Sequence, residues 1–107
     1  MNKAAMMLLG LSMLAGCGKA EFTCSETRAY GAAQRIIERH LKAPSTADFP
    51  SSNSSQVKVT EVSKCKYRIQ AYVDAQNAFG AKIRTPFSIT VEGFPAKDEW
   101  QGSDLSM

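Results

Sequence analysis

The chain has one histidine, one tryptophan and three cysteines in 107 residues, and each scarcity removes a class of chemistry. His40 has no second imidazole near it, so nothing in the sequence assembles a transition-metal ligand set. The ten carboxylates are scattered, and no two are spaced for acid–base work. There is no glycine-rich phosphate loop and no nucleophile elbow. Ser55-x-x-Lys58 has the spacing of a serine–lysine nucleophile, but it falls in the serine-rich run Ser51–Gln56, where such a match arises by chance. No block of Lys or Arg marks a nucleic-acid partner. The expectation is a protein that is not an enzyme and has no metal, no cofactor, no small-molecule substrate and no nucleic acid.

Also missing is an apolar run of the roughly 20 residues that a membrane-spanning helix needs. A shorter run is present. Met1-Asn2-Lys3 is a positive start, Ala4–Leu14 is mostly apolar, and Leu14-Ala15-Gly16-Cys17 resembles the bacterial lipobox. That resemblance implies removal of residues 1–16 as a signal peptide and acylation of Cys17. The alternative is an ordinary secretory peptide with a chance cysteine. Two or more acyl chains, at about 0.8 kcal/mol per buried CH₂, hold a protein on a membrane almost permanently. Gly18, where an Asp would favour retention, is compatible with the periplasmic face of an outer membrane. Cleavage leaves 91 of the 107 residues, with 12 basic against 10 acidic side chains once Lys3 is lost. That is enough chain for one domain with a modest core.

With Cys17 lipidated, Cys24 and Cys65 form an even pair in an oxidising compartment, which points to a disulfide. Two free buried thiols are the alternative. The bridge would close 41 residue steps, worth roughly 4 kcal/mol in the chain-entropy treatment.

Residues 17–22 read as a lipidated tether and 23–93 as the folded domain. Thr23 and Glu26 have the spacing of a capping box. Tyr30, Ala33, Ile37 and Leu41 then line one face of a helix, with Gln34, Arg35, Glu38, Arg39 and Lys42 on the wet side. Pro44 stops it, so a helix is expected from about Cys24 to Lys42. Three period-two strands follow, from Val57, from Cys65 to Val73, and from Ile83 to Val91. Cys65 falls on the apolar face of the second. Pro86 cannot donate to a ladder, which predicts that the last strand is an edge or is bulged there. The fold class is therefore α+β: one N-terminal helix on a three-stranded antiparallel sheet, with one disulfide. Phe94–Met107 shows no period and reads as a loose tail.

Between the last two strands lies Asp74–Ala81, an eight-residue connection that is longer than most hairpins use. Asp74, Asn77 and Gly80 suit a turn, and a purely architectural hairpin is one reading. The other is a docking surface. Asp74, Gln76, Asn77, Phe79, Lys82 and Arg84 combine amides, an aromatic and cations, a mixture common at protein-recognition surfaces.

The blocks "LKAPSTADFP" (41–50) and "VDAQNAFGAKIRTPF" (73–87) resemble a pair found in small bacterial and phage-encoded secreted proteins and lipoproteins. Among these, the chain is loosely similar to Cor-type phage superinfection-exclusion lipoproteins. That resemblance implies an outer-membrane barrel as partner, a receptor that other phages use. The expectation is a lipid-anchored protein that binds another envelope protein through the 74–84 hairpin. The alternatives are an accessory structural lipoprotein of an envelope or secretion assembly, whose edge strand pairs with a partner strand, and a small inhibitor of a cell-wall hydrolase.

Overall fold

The computed structural model describes residues 21–107. The signal stretch 1–16, Cys17 and residues 18–20 of the tether lie outside the described residues. One helix, α1 (Glu26–Glu38), packs on an antiparallel sheet of four strands, β1 (Lys58–Ser63), β2 (Lys66–Gln76), β3 (Lys82–Phe94) and β4 (Glu99–Ser106). The strands are neighbours in chain order. Short 3₁₀ turns at Pro44–Thr46 and Pro95–Lys97 complete the elements.

The cap of α1 is Ser25, in place of the expected Thr23. Ser25 is extended and its Oγ accepts from the Arg28 amide at 3.2 Å. The helix stops at Glu38, four residues short of the expected Lys42. Beyond it the amides of Arg39, His40 and Leu41 bond to Ile36, Ile37 and Glu38, the tighter i→i−3 pattern that closes a helix. Leu41 still packs on the core. The buried face presents Ala29, Ala32 and Ala33 with Tyr30 and Ile37. The small side chains let the helix lie close to the sheet, where Ile69, Val73, Ile89 and Val91 are fully buried.

The sheet corrects two expectations. Residues 99–106, expected as part of a loose tail, form β4, which pairs with β3 from Phe94↔Glu99 to Ser88↔Ser106. The strand was hidden because its period breaks. Three residue steps of β4 (Ser103 to Ser106) span two of β3 (Thr90 to Ser88), with Asp104 at φ 51°: a β-bulge. Trp100 and Leu105, the partly buried side chains of β4, are therefore five residues apart. A regular strand would put them on opposite faces. Gly102 completes the inner face, because a Cβ there would meet Ile36 at 3.0 Å and Ile89 at 3.1 Å. On the outer face, Arg68 ties the bulge down. Its guanidinium donates to Thr90 Oγ1 and Ser88 Oγ, both at 2.9 Å, and to the Asp104 carbonyl at 3.1 Å.

The strand that holds Pro86 is consequently not the outermost. β3 lies between β2 and β4, but β4 pairs only from Ser88 onward, so Pro86 sits just past its end. A missing N–H there breaks no ladder bond.

Cys24 and Cys65 are joined, with Cα atoms 5.2 Å apart. Cys65 is not in a strand as expected. It occupies the β1–β2 turn at φ 60° and is buried. Its carbonyl accepts from the Gly93 amide at 2.9 Å. Gly93 must be glycine, since a Cβ would stand 2.7 Å from the Cys65 sulfur and 3.0 Å from the Phe22 ring. Phe22 in turn stacks at 5.4 Å on Trp100. The disulfide, Phe22 and Trp100 thus close one end of the sheet, where the described chain begins.

Candidate functional site: the β2–β3 hairpin

β2 and β3 stay in register as far as Gln76↔Lys82. The connection is therefore Asn77–Ala81, five residues rather than the eight of Asp74–Ala81. Length alone no longer sets this loop apart, because hairpin loops of two to five residues are ordinary. Asn77 organises it. Its amide donates to the Ala81 carbonyl at 2.9 Å and its carbonyl accepts from Gly80 at 3.0 Å. Its side-chain oxygen accepts from the amides of Phe79 at 2.9 Å and Ala81 at 3.0 Å. Gly80 takes φ 84°, a left-handed angle that glycine adopts at little cost.

This closure leaves Phe79 at the tip with 94 % of its surface exposed. A benzyl side chain in water on a turn held by four hydrogen bonds contributes nothing to the core. Ile83, expected on the covered face, is 46 % exposed, because α1 ends at Glu38 and does not reach over the start of β3. Lys82 is exposed and makes no ion pair among the described residues.

Arg84 lies on the outer face as alternation predicts, but it is not a free cation. It makes a two-point pair with the opposing Asp74, Nε to Oδ1 and Nη2 to Oδ2, both at 2.8 Å. Its guanidinium also lies 3.9 Å from the centre of the Tyr72 ring. The hydrogen bonds from Arg84 hold the Asp74 carboxyl below its ordinary value of 3.8. The same bonds push the Arg84 guanidinium higher still. A carboxyl lowered in the folded state contributes stability above its unfolded value and loses it as pH falls through the folded one. Melting temperatures of wild type and Asp74→Asn should therefore differ by a constant amount above about pH 5 and converge below pH 3.8. The gap will be small because water screens the pair. Parallel curves down to pH 2 would show that the pair does not stabilise the hairpin.

The structure brings the two sequence blocks into contact. Asp48 and Asp74 exchange both backbone hydrogen bonds, at 2.8 and 3.0 Å. The Gln76 amide donates to Thr46 Oγ1 at 2.9 Å, and that hydroxyl donates to the Ala43 carbonyl at 2.7 Å. Phe49 meets Phe87 edge-on at 6.1 Å. The first block is the clamp on the free edge of β2 where β1 no longer covers it, and the second is the hairpin being clamped. The roles of Thr46, Asp48 and Tyr72 are not legible in the sequence of either block. Pairing within one short segment of β2 is the only local signal that would have found them, and it requires the register.

The other singled-out residues lie apart from the hairpin tip. His40 Nδ1 sits 3.0 Å from the Ile36 carbonyl and is exposed. Ser55 and Lys58 are both exposed and flank a shallow hollow on the outer face beside Tyr72 and Pro86. Among the described residues, no group of three His, Cys, Asp or Glu is placed to hold a metal ion, and no helix is long and apolar enough to cross a membrane. Comparison with family models, with curated proteins and with solved structures finds no match to this chain.

Proposed function

We propose that this chain is a lipid-anchored envelope protein that docks on another envelope protein through the 74–84 hairpin. The observation that carries the reading is Phe79, an almost fully exposed aromatic on a turn that Asn77 holds rigid. An exposed apolar side chain on a pre-ordered loop has little entropy left to lose on binding, which is how aromatic anchors become dominant contacts. The position of the hairpin supports the same reading. The described chain begins beside Cys65 and Gly93, whereas the tip lies beyond the far end of β2, about 33 Å away at ~3.3 Å per residue. In a chain anchored through Cys17, the tip would meet the part of an envelope protein that stands out of that membrane. Confinement to one leaflet raises effective concentration, so a small patch of modest affinity suffices.

In its more specific form the partner is an outer-membrane barrel serving as a phage receptor, and the protein is a prophage exclusion lipoprotein. The resemblance of the two blocks to such proteins supports that form. The tether is tested by Cys17→Ser. The variant should fold and keep the Cys24–Cys65 bridge, carry no lipid and be either uncleaved or soluble, and lose its effect in a phage-plating assay. Full protection from the soluble form would remove the tether from the mechanism.

A further inference from the structure

Charge on the outer face of the sheet is divided at one side-chain stack. The Arg84 guanidinium lies 3.9 Å from the centre of the Tyr72 ring, and a hollow opens on either side of the pair. One, of about 290 Å³, is lined by both Asp48 and Asp74. The other, of about 470 Å³, is lined by Lys58 and Arg84 and, among the described residues, by no carboxylate. This basic hollow exists because the cover along β2 is interrupted. β1 pairs with β2 only as far as Lys58↔Gln70, and the clamp resumes at Asp48↔Asp74. The chain between them leaves the sheet in turns over 51–57. Tyr72 stands in the interruption, opposite Pro86.

The pair with Asp74 does not use up Arg84. It takes the Nε–H and one N–H of Nη2. A guanidinium has five donors, so three N–H groups have no partner among the described residues. The Arg84 side chain remains 60 % exposed, against 20 % for Asp74. Asp74 thus acts as a positioning residue. Together with the Tyr72 ring it fixes the guanidinium, whose free edge then has little freedom left to lose on binding. Lys58 is exposed and makes no ion pair among the described residues. With Arg84 balanced by Asp74, the hollow carries one uncompensated positive charge. That matches a carboxylate. A phosphate group, at −1.5 to −2 near pH 7, would bring charge that nothing in the hollow balances and that Asp48 and Asp74 oppose.

Resting on the hairpin reading above, we propose that this hollow receives an acidic side chain of the protein partner that docks at Phe79. Its carboxylate accepts from the free edge of Arg84 and from the Lys58 ammonium, and its methylenes lie on Tyr72 and Pro86. The hollow is shallow, so a free acid would keep most of its water. A side chain delivered by a partner already held at the tip arrives at high effective concentration. The distance suits this. Tyr72 lies four residues before the end of β2 at Gln76, about 13 Å at ~3.3 Å per residue, which is within the span of one ordinary interface. The working surface then includes Lys58, which lies outside the hairpin in sequence, and it selects an acidic partner through charge.

The test titrates the full-length protein with N-acetyl-glutamate N-methylamide, with its glutamine counterpart and with inorganic phosphate. The Arg84 Nε–H and the Gln70 and Tyr72 amide resonances report binding. The glutamate compound should shift them saturably, and the glutamine compound should bind at least about tenfold more weakly, since it forms no charge-assisted bonds. Lys58→Gln should keep the melting curve and weaken the glutamate compound about threefold, the size of an exposed ion pair. Lys58→Glu should abolish its binding. Equal binding of the two compounds to wild type, or undiminished binding to Lys58→Gln, overturns the site. Tighter binding of phosphate overturns the carboxylate. The partner itself is read in cells with a photo-activated cross-linker at position 79, whose product Lys58→Glu should weaken. A cross-link undiminished by Lys58→Glu, with the glutamate compound lost, assigns the hollow to a free acid and overturns the partner side chain while the hairpin reading stands. No cross-link from position 79 in otherwise wild-type protein makes both readings fall.

Discussion

Reducing the Cys24–Cys65 bridge should lower the melting temperature by roughly 20 °C. The chain-entropy treatment gives about 4 kcal/mol for a separation of 41 residues, and 1 kcal/mol shifts a domain of this size by about 4–8 °C. The packing around the bridge supports a shift of that size. The Cys65 sulfur and the Phe22 ring both close on Gly93, and Phe22 rests on Trp100, which itself packs near Tyr67 at 6.2 Å. The bridge therefore holds the start of the helix and both turns at that end of the sheet. Thermal unfolding of oxidised and reduced protein, with thiols counted by alkylation, measures the effect. A shift of only a few degrees would mean that the aromatic cluster holds this end unaided.

Phe79→Ala should leave the melting curve unchanged, within the ~0.5 kcal/mol typical of surface positions, and weaken partner binding about 30-fold or more. The first expectation follows from its exposure of 94 %, since a side chain with no core contacts leaves no cavity when truncated. The second follows from burial on docking. A Phe removes some 150–250 Å² from water, which at ~25 cal/mol per Å² is several kcal/mol before ordering costs. Aromatic anchors at interface centres commonly retain 2 kcal/mol or more of this. Binding and melting measured on one preparation separate the two effects. A variant that binds normally would reduce Phe79 to an incidental feature of the turn.

The parts of the fold that follow a simple period were legible in the sequence. Tyr30, Ala33 and Ile37 lie on the buried helix face, and Tyr67, Ile69, Ala71 and Val73 on the buried face of β2. The disulfide was expected from the even number of cysteines left beside Cys17 and from the compartment that the lipobox resemblance implies. β4 was not legible because its bulge changes the spacing of Trp100 and Leu105 from even to odd, and because a glycine occupies the inward position between them. The helix end was misplaced because Leu41 keeps the helical spacing of its apolar face while the backbone has already tightened into turns. At the hairpin, the turn residues Asn77 and Gly80 were readable, and so was the outward direction of Arg84. The shortness of the loop and the Asp74–Arg84–Tyr72 arrangement were not, since both depend on a cross-strand register that no single strand encodes.

The most direct test of the proposed docking hairpin is a photo-activated cross-linker placed in turn at positions 79 and 39 of the chain expressed in its own host. Position 79 is the tip, and Arg39 is exposed just past the end of α1, outside the hairpin. The account predicts one discrete cross-linked envelope protein from position 79 and none from position 39. A discrete cross-link from position 39 with none from position 79 would contradict it and move the working surface to the helix.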